Sequence, residues 1–376
     1  MAKILILCNS SGGLYDFRDQ LLRKLCSEHD LWISMPDDLK EMELSSMGAK
    51  VLRTPMERHG MNPFRERKLL KKYKELMAGL RPDVVMAYTI KPVVYGGMAA
   101  AKLRIPFIPT VTGLSDAFFT SQAVRTLTRQ LYRMGLKKAY CVFFQNQANM
   151  DFFSYNRIYQ GKMRLVSGSG VNLSRFRPLP YGDSGAGEGR LRFSYINRVK
   201  KEKGFMEFLA AARHFKKEEE EGRIPAAPVF TVLGYCEDDL EKLALKENEN
   251  GIIDYCGFST DVETYYRQAS CVVVPSYHEG MSNVLMEASA SGRPVLSSDV
   301  TGCREIAEDG RTGFIFKVRD EKSLISAMER FMKLSDAERE QMGLAAREKM
   351  EREFDRAIVT EAYMEEIRNA LAHKQD

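Results

Sequence analysis

The sequence predicts an α/β protein built from two doubly wound, Rossmann-like domains. Its 376 residues exceed what one ordinary hydrophobic core organises. Short apolar, β-branched runs alternate with helical patterns along most of the chain, which is typical of βαβ units with parallel strands. A stretch rich in glycine and charge, residues 181–190, separates two such series and is the predicted linker. Ligands of such sheets bind at the carboxyl ends of the strands.

The predicted strands follow from the apolar runs, and helices are expected between them. The first series of strands is 3–8, 31–35, 50–53, 83–88, 107–111, 142–144 and 164–166. The second series is 191–196, 229–233, 252–255, 271–274, 295–298 and 314–316. We therefore expect domains at 1–180 and 181–357, followed by a helical C-terminal segment, 358–376.

Composition argues against several classes of protein. No run reaches the roughly 18 apolar residues of a membrane span, and the N-terminus begins with a strand pattern rather than a secretory signal. The 7 cysteines show no C-x-x-C spacing and the 5 histidines show no ligand spacing. We therefore expect reduced thiols, no metal site and a cytoplasmic protein.

The charge distribution is asymmetric. Residues 1–180 carry 28 Lys and Arg against 14 Asp and Glu, whereas the remainder carries 28 against 37. Basic side chains concentrate in predicted helices 63–80 and 121–138, and the second contains an i,i+4 row of like charges. Such a row destabilises an isolated helix unless an anion relieves it, as an anionic membrane surface would. The alternative is a solvated basic face. Nucleic acid is disfavoured because no known reader motif accompanies the charge. The row is Arg125, Arg129, Arg133 and Lys137.

The most informative segment is 275–292, PSYHEGMSNVLMEASASG. Pro275 ends a buried strand, and Ser282 or Asn283 is a plausible cap for the helix that follows. Glu279 then precedes the helix and Glu287 lies about one turn inside it. A helix start favours an anion such as a diphosphate, and two carboxylates can each accept hydrogen bonds from sugar hydroxyls. Together they predict a nucleotide-sugar site, the alternative being two solvated glutamates.

This segment, continued through residues 292–314, resembles the donor-site signature of family 4 retaining glycosyltransferases. These have the GT-B architecture, in which two Rossmann-like domains face each other across a cleft. Arg198, followed by Lys203 and Gly204, resembles the family's phosphate-binding pair. Gly12 and Gly13, after the first strand, resemble the glycine loop that faces the sugar donor.

The resemblance implies roles for individual residues. Glu279, Arg198 and Lys203 are the expected catalytic residues, with Glu279 on the hexose and Glu287 on the ribose. No D-x-D-like pair follows a strand in the first domain, so we expect the cations to stabilise the leaving group without a metal or other cofactor. The expected donor-binding residues are Gly12, Gly13, Arg198, Lys203, Glu279, Gly280, Met281, Ser282, Asn283, Val284 and Glu287.

Other segments resemble bacterial transferases that extend undecaprenyl-diphosphate-linked sugars, including N-acetylgalactosaminyltransferases of protein glycosylation. These segments are 12–18, 62–64, 91–92 and 112–115. The resemblance implies that domain 1–180 binds the acceptor, that 181–357 binds the nucleotide sugar, and that 358–376 packs back on the first domain. Asp116 has the alternative role of helix cap. The implied acceptor residues are Tyr15, Arg18, Lys91, Thr112 and Asp116.

The sequence therefore predicts a retaining glycosyltransferase, peripheral on the inner face of the cell membrane. It would move a hexose or N-acetylhexosamine from a UDP sugar to a polyprenyl-diphosphate-linked glycan, in bacterial surface polysaccharide or glycoprotein synthesis. One alternative is an isomerase like UDP-N-acetylglucosamine 2-epimerase on the same fold, which the sparse histidines disfavour. Another is a non-catalytic scaffold at the membrane surface, which the intact set of donor-site residues disfavours.

Overall fold

A computed structural model describes residues 1–57, 60, 62–113, 121–182, 190–236 and 240–373. The chain forms two compact units, Met1–Ser169 with Arg356–Asp376 (unit 1) and Gly170–Asp355 (unit 2). Most of the predicted linker, 183–189, lies outside the described residues. None of the helices within these ranges is long and apolar enough to cross a lipid bilayer.

Unit 1 is built on a parallel sheet in the order β3-β2-β1-β4-β5-β6-β7, the order of a doubly wound fold. Its strands are β1 Lys3–Leu7, β2 Asp30–Met35, β3 Lys50–Arg53, β4 Val84–Tyr88, β5 Phe107–Val111, β6 Val142–Phe144 and β7 Met163–Leu165. Its helices are α1 Ser11–Glu28, α2 Glu41–Ser46, α3 Pro63–Leu80, α4 Gly97–Leu103, α5 Gln122–Leu136, α6 Gln147–Tyr155 and α13 Arg356–Ala372. A π-helical turn, Pro92–Gly96, precedes α4.

The C-terminal helix α13 belongs to unit 1 and is fixed there by polar contacts. The hydroxyls of Tyr363 and Thr110 lie 2.8 Å apart in the core. Arg356 donates to Asp19 at 2.5 Å, and the fully buried Glu366 accepts from Lys162 at 2.6 Å. Buried polar groups are costly unless they are paired, so these contacts specify where the helix lies.

Unit 2 repeats the architecture with a parallel sheet in the order β10-β9-β8-β11-β12-β13. Its strands are β8 Arg192–Ile196, β9 Val229–Leu233, β10 Asp254–Tyr255, β11 Cys271–Val274, β12 Val295–Ser298 and β13 Gly313–Phe316. Its helices are α7 Phe205–Glu220, α8 Leu240–Glu249, α9 Val262–Gln268, α10 Asn283–Ala290, α11 Glu321–Met332 and α12 Asp336–Glu353. A 3-10 turn, Lys201–Lys203, precedes α7.

Unit 2 begins earlier in the chain than the predicted junction at 180/181. The backbone N–H of Val171 donates to the Phe354 carbonyl at 2.8 Å, and Phe176 is buried in the core of unit 2. Arg293, which is 1% exposed, donates to the carbonyls of Leu179 and Pro180 at 3.2 and 2.6 Å. The residues just before the predicted linker are therefore a packed part of unit 2.

Candidate functional site

The loop 275–282 joins the carboxyl end of β11 to α10. β11 is fully buried, and Pro275 follows it. The Ser282 hydroxyl caps α10 by accepting from the Leu285 N–H at 3.4 Å, and the Ser282 N–H donates to the Gly302 carbonyl at 2.8 Å. The α10 N-terminus thus lies where a doubly wound sheet binds ligands, and its partial positive charge favours an anion.

Two glycines allow neighbouring segments to approach this loop closely. Gly204 has φ +72°, and a Cβ there would lie 2.0 Å from the Pro275 carbonyl oxygen. Gly302 has φ +84°, and a Cβ there would lie 2.7 Å from the Glu279 carbonyl oxygen. Any side chain at either position would displace the loop. Because Gly204 directly follows Lys203, this approach brings Lys203 beside the loop.

Lys203 and Glu279, both predicted site residues, form an ion pair. Lys203 Nζ lies 2.6 Å from Glu279 Oε1, and the side chains are 16% and 13% exposed. The Ser276 hydroxyl donates to the same oxygen at 2.8 Å, and the Ser276 carbonyl accepts from Ser298 Oγ at 2.5 Å. A lysine and a hydroxyl therefore fix the orientation of the Glu279 carboxylate.

Arg198 is exposed in the turn after β8. Its carbonyl accepts a hydrogen bond from the hydroxyl of Tyr195 at 2.7 Å, and its N–H donates to the side chain of Asn197 at 2.9 Å. Burial raises the pKa of the Tyr195 hydroxyl well above its ordinary value, so this group stays protonated and donates. Tyr195 was not predicted as a site residue, because it reads as one more apolar position of a strand.

Glu287 lies one turn inside α10 and is held by a tyrosine. The hydroxyl of Tyr266, a fully buried residue of α9, donates to Glu287 Oε2 at 2.8 Å. Burial raises the pKa of Tyr266 well above its ordinary value. The structure thus fixes Glu287 through a residue that the sequence patterns did not single out.

Gly12 and Gly13 begin α1 in unit 1. The Gly13 N–H donates to the Ser10 side chain at 3.4 Å. A Cβ at either glycine would meet only Ser10 atoms, at 3.8 to 4.0 Å, which is ordinary van der Waals contact. The described neighbours therefore do not require glycine here, in contrast to Gly204.

The predicted acceptor residues have different environments. Lys91 pairs with Glu66 at 2.7 Å, and both side chains are 11% exposed. Arg18 is 5% exposed, with its guanidinium carbon 5.2 Å from the Tyr88 ring centroid and 5.9 Å from that of Tyr363. A direct contact between Arg18 and a ligand would require these neighbours to move.

The remaining acceptor positions lie near the carboxyl end of the unit 1 sheet. Thr112 follows β5, and its carbonyl accepts from the Gln145 side-chain amide at 3.0 Å. Tyr15 is half-buried, with Lys40 Nζ 5.2 Å from its ring centroid. Asp116 lies outside the described residues.

A cavity of about 380 Å³ lies beside α3 in unit 1. Its charged lining has more cations than anions, and one of the cations is the predicted acceptor residue Lys91. The lining residues are Pro55, Met56, Glu57, Arg65, Glu66, Lys68, Leu69, Lys72 and Lys91.

The basic row of α5 is partly satisfied within unit 1. Arg133 donates to the carbonyls of Asn156 and Arg157 at 2.8 and 3.0 Å, just after α6. Arg129 lies over the Phe152 ring, 5.4 Å from its centroid. Carbonyls at a helix end and an aromatic face thus stabilise two members of the row within unit 1, and contact of the row with an anionic surface stays a prediction.

Within the described ranges, no group of three or more His, Cys, Asp or Glu side chains is arranged to hold a metal ion.

Solved structures share this architecture. The HepE protein of Anabaena, solved in complex with UDP, is 17% identical with a TM-score of 0.78 over 98% of this chain and 100% of its own. Sucrose-phosphate synthase of Thermosynechococcus elongatus is 19% identical with a TM-score of 0.79 over 99% and 100%. The fold is therefore GT-B, as the sequence predicted.

Two family models match successive parts of the chain. The model described as glycosyl transferase 4-like matches residues 3–146, and that described as glycosyl transferases group 1 matches residues 182–349. Together the two matches cover most of the chain, which belongs to the glycosyltransferases that these models describe. It is an enzyme of the hexosyltransferase kind. The predicted family resemblance is thereby confirmed.

Two curated relatives are similar along most of the chain. One is N,N'-diacetylbacillosaminyl-diphospho-undecaprenol alpha-1,3-N-acetylgalactosaminyltransferase of Campylobacter jejuni, 25% identical over 96% of this chain and 97% of its own. The other is UDP-Gal:alpha-D-GlcNAc-diphosphoundecaprenol alpha-1,3-galactosyltransferase of Escherichia coli, 24% identical over 86% and 79%.

Proposed function

We propose that this enzyme transfers a hexose or N-acetylhexosamine from a UDP sugar to a polyprenyl-diphosphate-linked glycan, with retention of anomeric configuration. The observation that carries the proposal is the Lys203–Glu279 pair beside the N-terminus of α10, which combines cation, carboxylate and helix dipole. The names of the two relatives support the choice of acceptor, and one of them supports UDP as the carrier. The product belongs to bacterial surface polysaccharide or glycoprotein synthesis.

The sugar donor occupies the carboxyl edge of the unit 2 sheet. Arg198, Lys203 and the backbone N–H groups at the start of α10 bind the diphosphate, because cationic side chains and a helix N-terminus are both suited to an anion. Glu279 with the backbone of Gly280 and Met281 holds the hexose, and Glu287 holds the ribose hydroxyls. Tyr266 supports this role of Glu287, because its hydroxyl donates to one carboxylate oxygen and orients the group. The helix-start residues are Ser282, Asn283 and Val284.

Catalysis stabilises charge as the bond between the anomeric carbon and the diphosphate oxygen breaks. The departing diphosphate gains negative charge, which Lys203, Arg198 and the helix N-terminus offset. The anomeric carbon gains positive character, which the Glu279 carboxylate at the sugar favours. We assign this work to protein groups without a metal ion. The acceptor hydroxyl forms the new bond to the anomeric carbon without an enzyme nucleophile, and its proton passes to the departing diphosphate oxygen.

An exposed aromatic pair suits the uracil base. Tyr235 and Phe258 follow β9 and β10 at their carboxyl ends, are 47% and 67% exposed, and have ring centroids 6.2 Å apart. Exposed aromatic rings at strand ends provide a face on which a base can stack. We assign the base to this pair.

The acceptor is bound by unit 1. Lys91 and the basic cavity beside α3 suit the diphosphate of a polyprenyl carrier. Arg18 supports the acceptor site by packing against the Tyr88 and Tyr363 rings inside unit 1. Tyr15, Thr112 and Asp116 contact the acceptor glycan. The exposed basic side chains of α3, and secondarily the half-buried ones of α5, hold the enzyme on the anionic inner face of the cell membrane.

A panel of nucleotide sugars, incubated with short-chain polyprenyl-diphosphate glycans with and without EDTA, tests the proposal. We expect transfer from one UDP sugar, a product with retained configuration, and equal rates in EDTA. Interconversion of the nucleotide sugar without acceptor would instead identify an isomerase. No turnover with any pair would favour a scaffold, and loss of activity in EDTA would contradict the metal-free assignment.

A further inference from the structure

Tyr277, two residues before Glu279, ties the loop 275–282 to the segment that carries Lys203. Its backbone N–H donates to the Glu202 carbonyl at 2.9 Å. Its hydroxyl donates to Glu207 Oε1, in the first turn of α7, at 2.7 Å. One residue therefore bonds on both sides of the turn at Lys203 and Gly204.

The Tyr277 hydroxyl donates a hydrogen bond to the buried carboxylate of Glu207. Glu207 is 8% exposed, and its second carboxylate oxygen, Oε2, has no hydrogen-bond partner among the described residues. A buried carboxylate with so few partners forms a strong bond with the one hydroxyl that reaches it in the described part of the chain. Burial raises the pKa of Tyr277 above its ordinary value, so the phenol remains a hydrogen-bond donor.

Arg319 also contacts Tyr277, through the face of its aromatic ring. Its guanidinium carbon lies 4.5 Å from the ring centroid, a cation–π distance. Arg319 adopts a left-handed backbone conformation, φ +58°, between β13 and α11. This conformation is unfavourable for a residue other than glycine, so the surrounding contacts maintain it.

We propose that Tyr277 is a positioning residue for glycosyl transfer, which sets the register of the Glu279 loop against the Lys203 turn through Glu207. The inference rests on the proposed function of that pair. Tyr277 does not touch the sugar donor in this role. It keeps Lys203 Nζ and Glu279 Oε1 in one geometry, and small misplacements of catalytic groups cost large factors in rate.

Removing the hydroxyl alone tests the proposal. We expect Tyr277→Phe to lower kcat about 10-fold while KM for the nucleotide sugar stays within two-fold. Glu207→Gln retains an oxygen that accepts from the phenol and should keep most of kcat, whereas Glu207→Leu should match Tyr277→Phe. The double variant Tyr277→Phe/Glu207→Leu should be no slower than either single variant, because both remove one interaction.

Tyr181→Phe is the matched control, since that hydroxyl donates to the Ser270 carbonyl at 3.0 Å elsewhere in unit 2. Its kcat should stay within two-fold of wild type. A kcat of Tyr277→Phe equal to that of this control would overturn the proposal, as would a Glu207→Gln variant as slow as Glu207→Leu.

A second measurement does not depend on activity. A double-mutant cycle of Lys203→Ala and Glu279→Gln gives the coupling of the pair in the free energy of unfolding. We expect this coupling to fall by at least half in the Tyr277→Phe background. An unchanged coupling overturns the positioning role even in a protein without transferase activity, and wild-type inactivity with an altered coupling overturns only the proposed function.

Discussion

Lys203 Nζ lies 2.6 Å from Glu279 Oε1, so a cation and a carboxylate from separate segments of unit 2 meet at the N-terminus of α10. We expect Lys203→Ala to reduce kcat/KM roughly 100- to 1,000-fold, the usual effect of removing one group that stabilises developing charge. Glu279→Gln should mainly lower kcat. Steady-state kinetics with the UDP sugar measures both.

Lys216→Ala is the matched control, because Lys216 forms a surface ion pair with Glu219 on α7. Its kcat/KM should remain within two-fold of wild type. If Lys203→Ala behaves like this control, Lys203 does not stabilise the leaving group.

Glu287 should determine affinity for the nucleoside diphosphate rather than turnover. Glu287→Ala removes the proposed hydrogen-bond acceptor of the ribose hydroxyls, and we expect UDP to bind roughly 10- to 100-fold more weakly, as for loss of hydrogen bonds to a charged group. Tyr266→Phe keeps the carboxylate and removes one hydrogen bond to it, so its effect should have the same direction and be smaller. Isothermal titration with UDP checks this, and unchanged affinity of Glu287→Ala would exclude the ribose assignment.

Two glycines should respond to alanine in opposite ways. Gly204→Ala places a Cβ 2.0 Å from the Pro275 carbonyl oxygen at positive φ, and we expect it to destabilise unit 2 by about 1–3 kcal/mol. Gly12→Ala meets no such obstacle and should leave stability unchanged or raise it by up to about 1 kcal/mol. Urea unfolding measures both changes. If the predicted contact of Gly12 with the sugar donor is correct, Gly12→Ala should nevertheless raise KM for the nucleotide sugar.

Membrane binding should depend on α3. Arg67→Glu/Lys71→Glu reverses two exposed charges on this helix. We expect binding to vesicles with anionic lipid to fall at least 10-fold, since each basic residue near the surface contributes about 1 kcal/mol. Vesicle co-sedimentation at low and high salt measures it.

The control Lys242→Glu/Lys246→Glu makes the same change at the same spacing on α8 and should bind as wild type. Arg133→Gln should lower the free energy of unfolding, because Arg133 already bonds to carbonyls near α6. It should reduce vesicle binding less than the α3 variant does. Equal loss in the α3 and α8 variants would show that attraction is non-specific.

His29 should make unit 1 sensitive to acid. Burial lowers its pKa below the ordinary 6.5, and neither ring nitrogen has a hydrogen-bond partner among the described residues. Below pH 6.5 the unfolded chain therefore binds a proton that the folded chain resists, so stability falls as the pH drops from there to the folded pKa. His29→Gln should show a smaller shift of the urea midpoint between pH 8 and pH 5.5. An identical shift in both proteins would remove His29 as the cause.

The fold was predictable because its determinants are local. Strands β3, β5, β6, β9, β11 and β12 have the predicted bounds, since buried parallel strands are short apolar runs that the residues themselves reveal. The Lys203–Glu279 region was also identified, because a strand, a proline and a helix cap mark its position in the sequence.

What the sequence did not reveal depends on partners that are distant along the chain. Tyr266 and Tyr277 resemble other aromatic core residues until α10 and α7 are placed beside them. Arg18 reads as a surface cation, but two tyrosine rings and the Gln145 amide make its burial possible. Arg133 reads as one member of a repulsive row, although the carbonyls that stabilise it follow another helix.

The packing of residues 170–180 has a practical consequence for dissecting the enzyme. A fragment cut at the glycine-rich segment would lose Val171 and Phe176, expose the apolar surface they cover, and leave the Arg293 guanidinium short of carbonyl partners. An excised unit 2 that starts at Gly170 and ends at Asp355 keeps both, and this is the fragment to express for crystallisation or NMR with UDP.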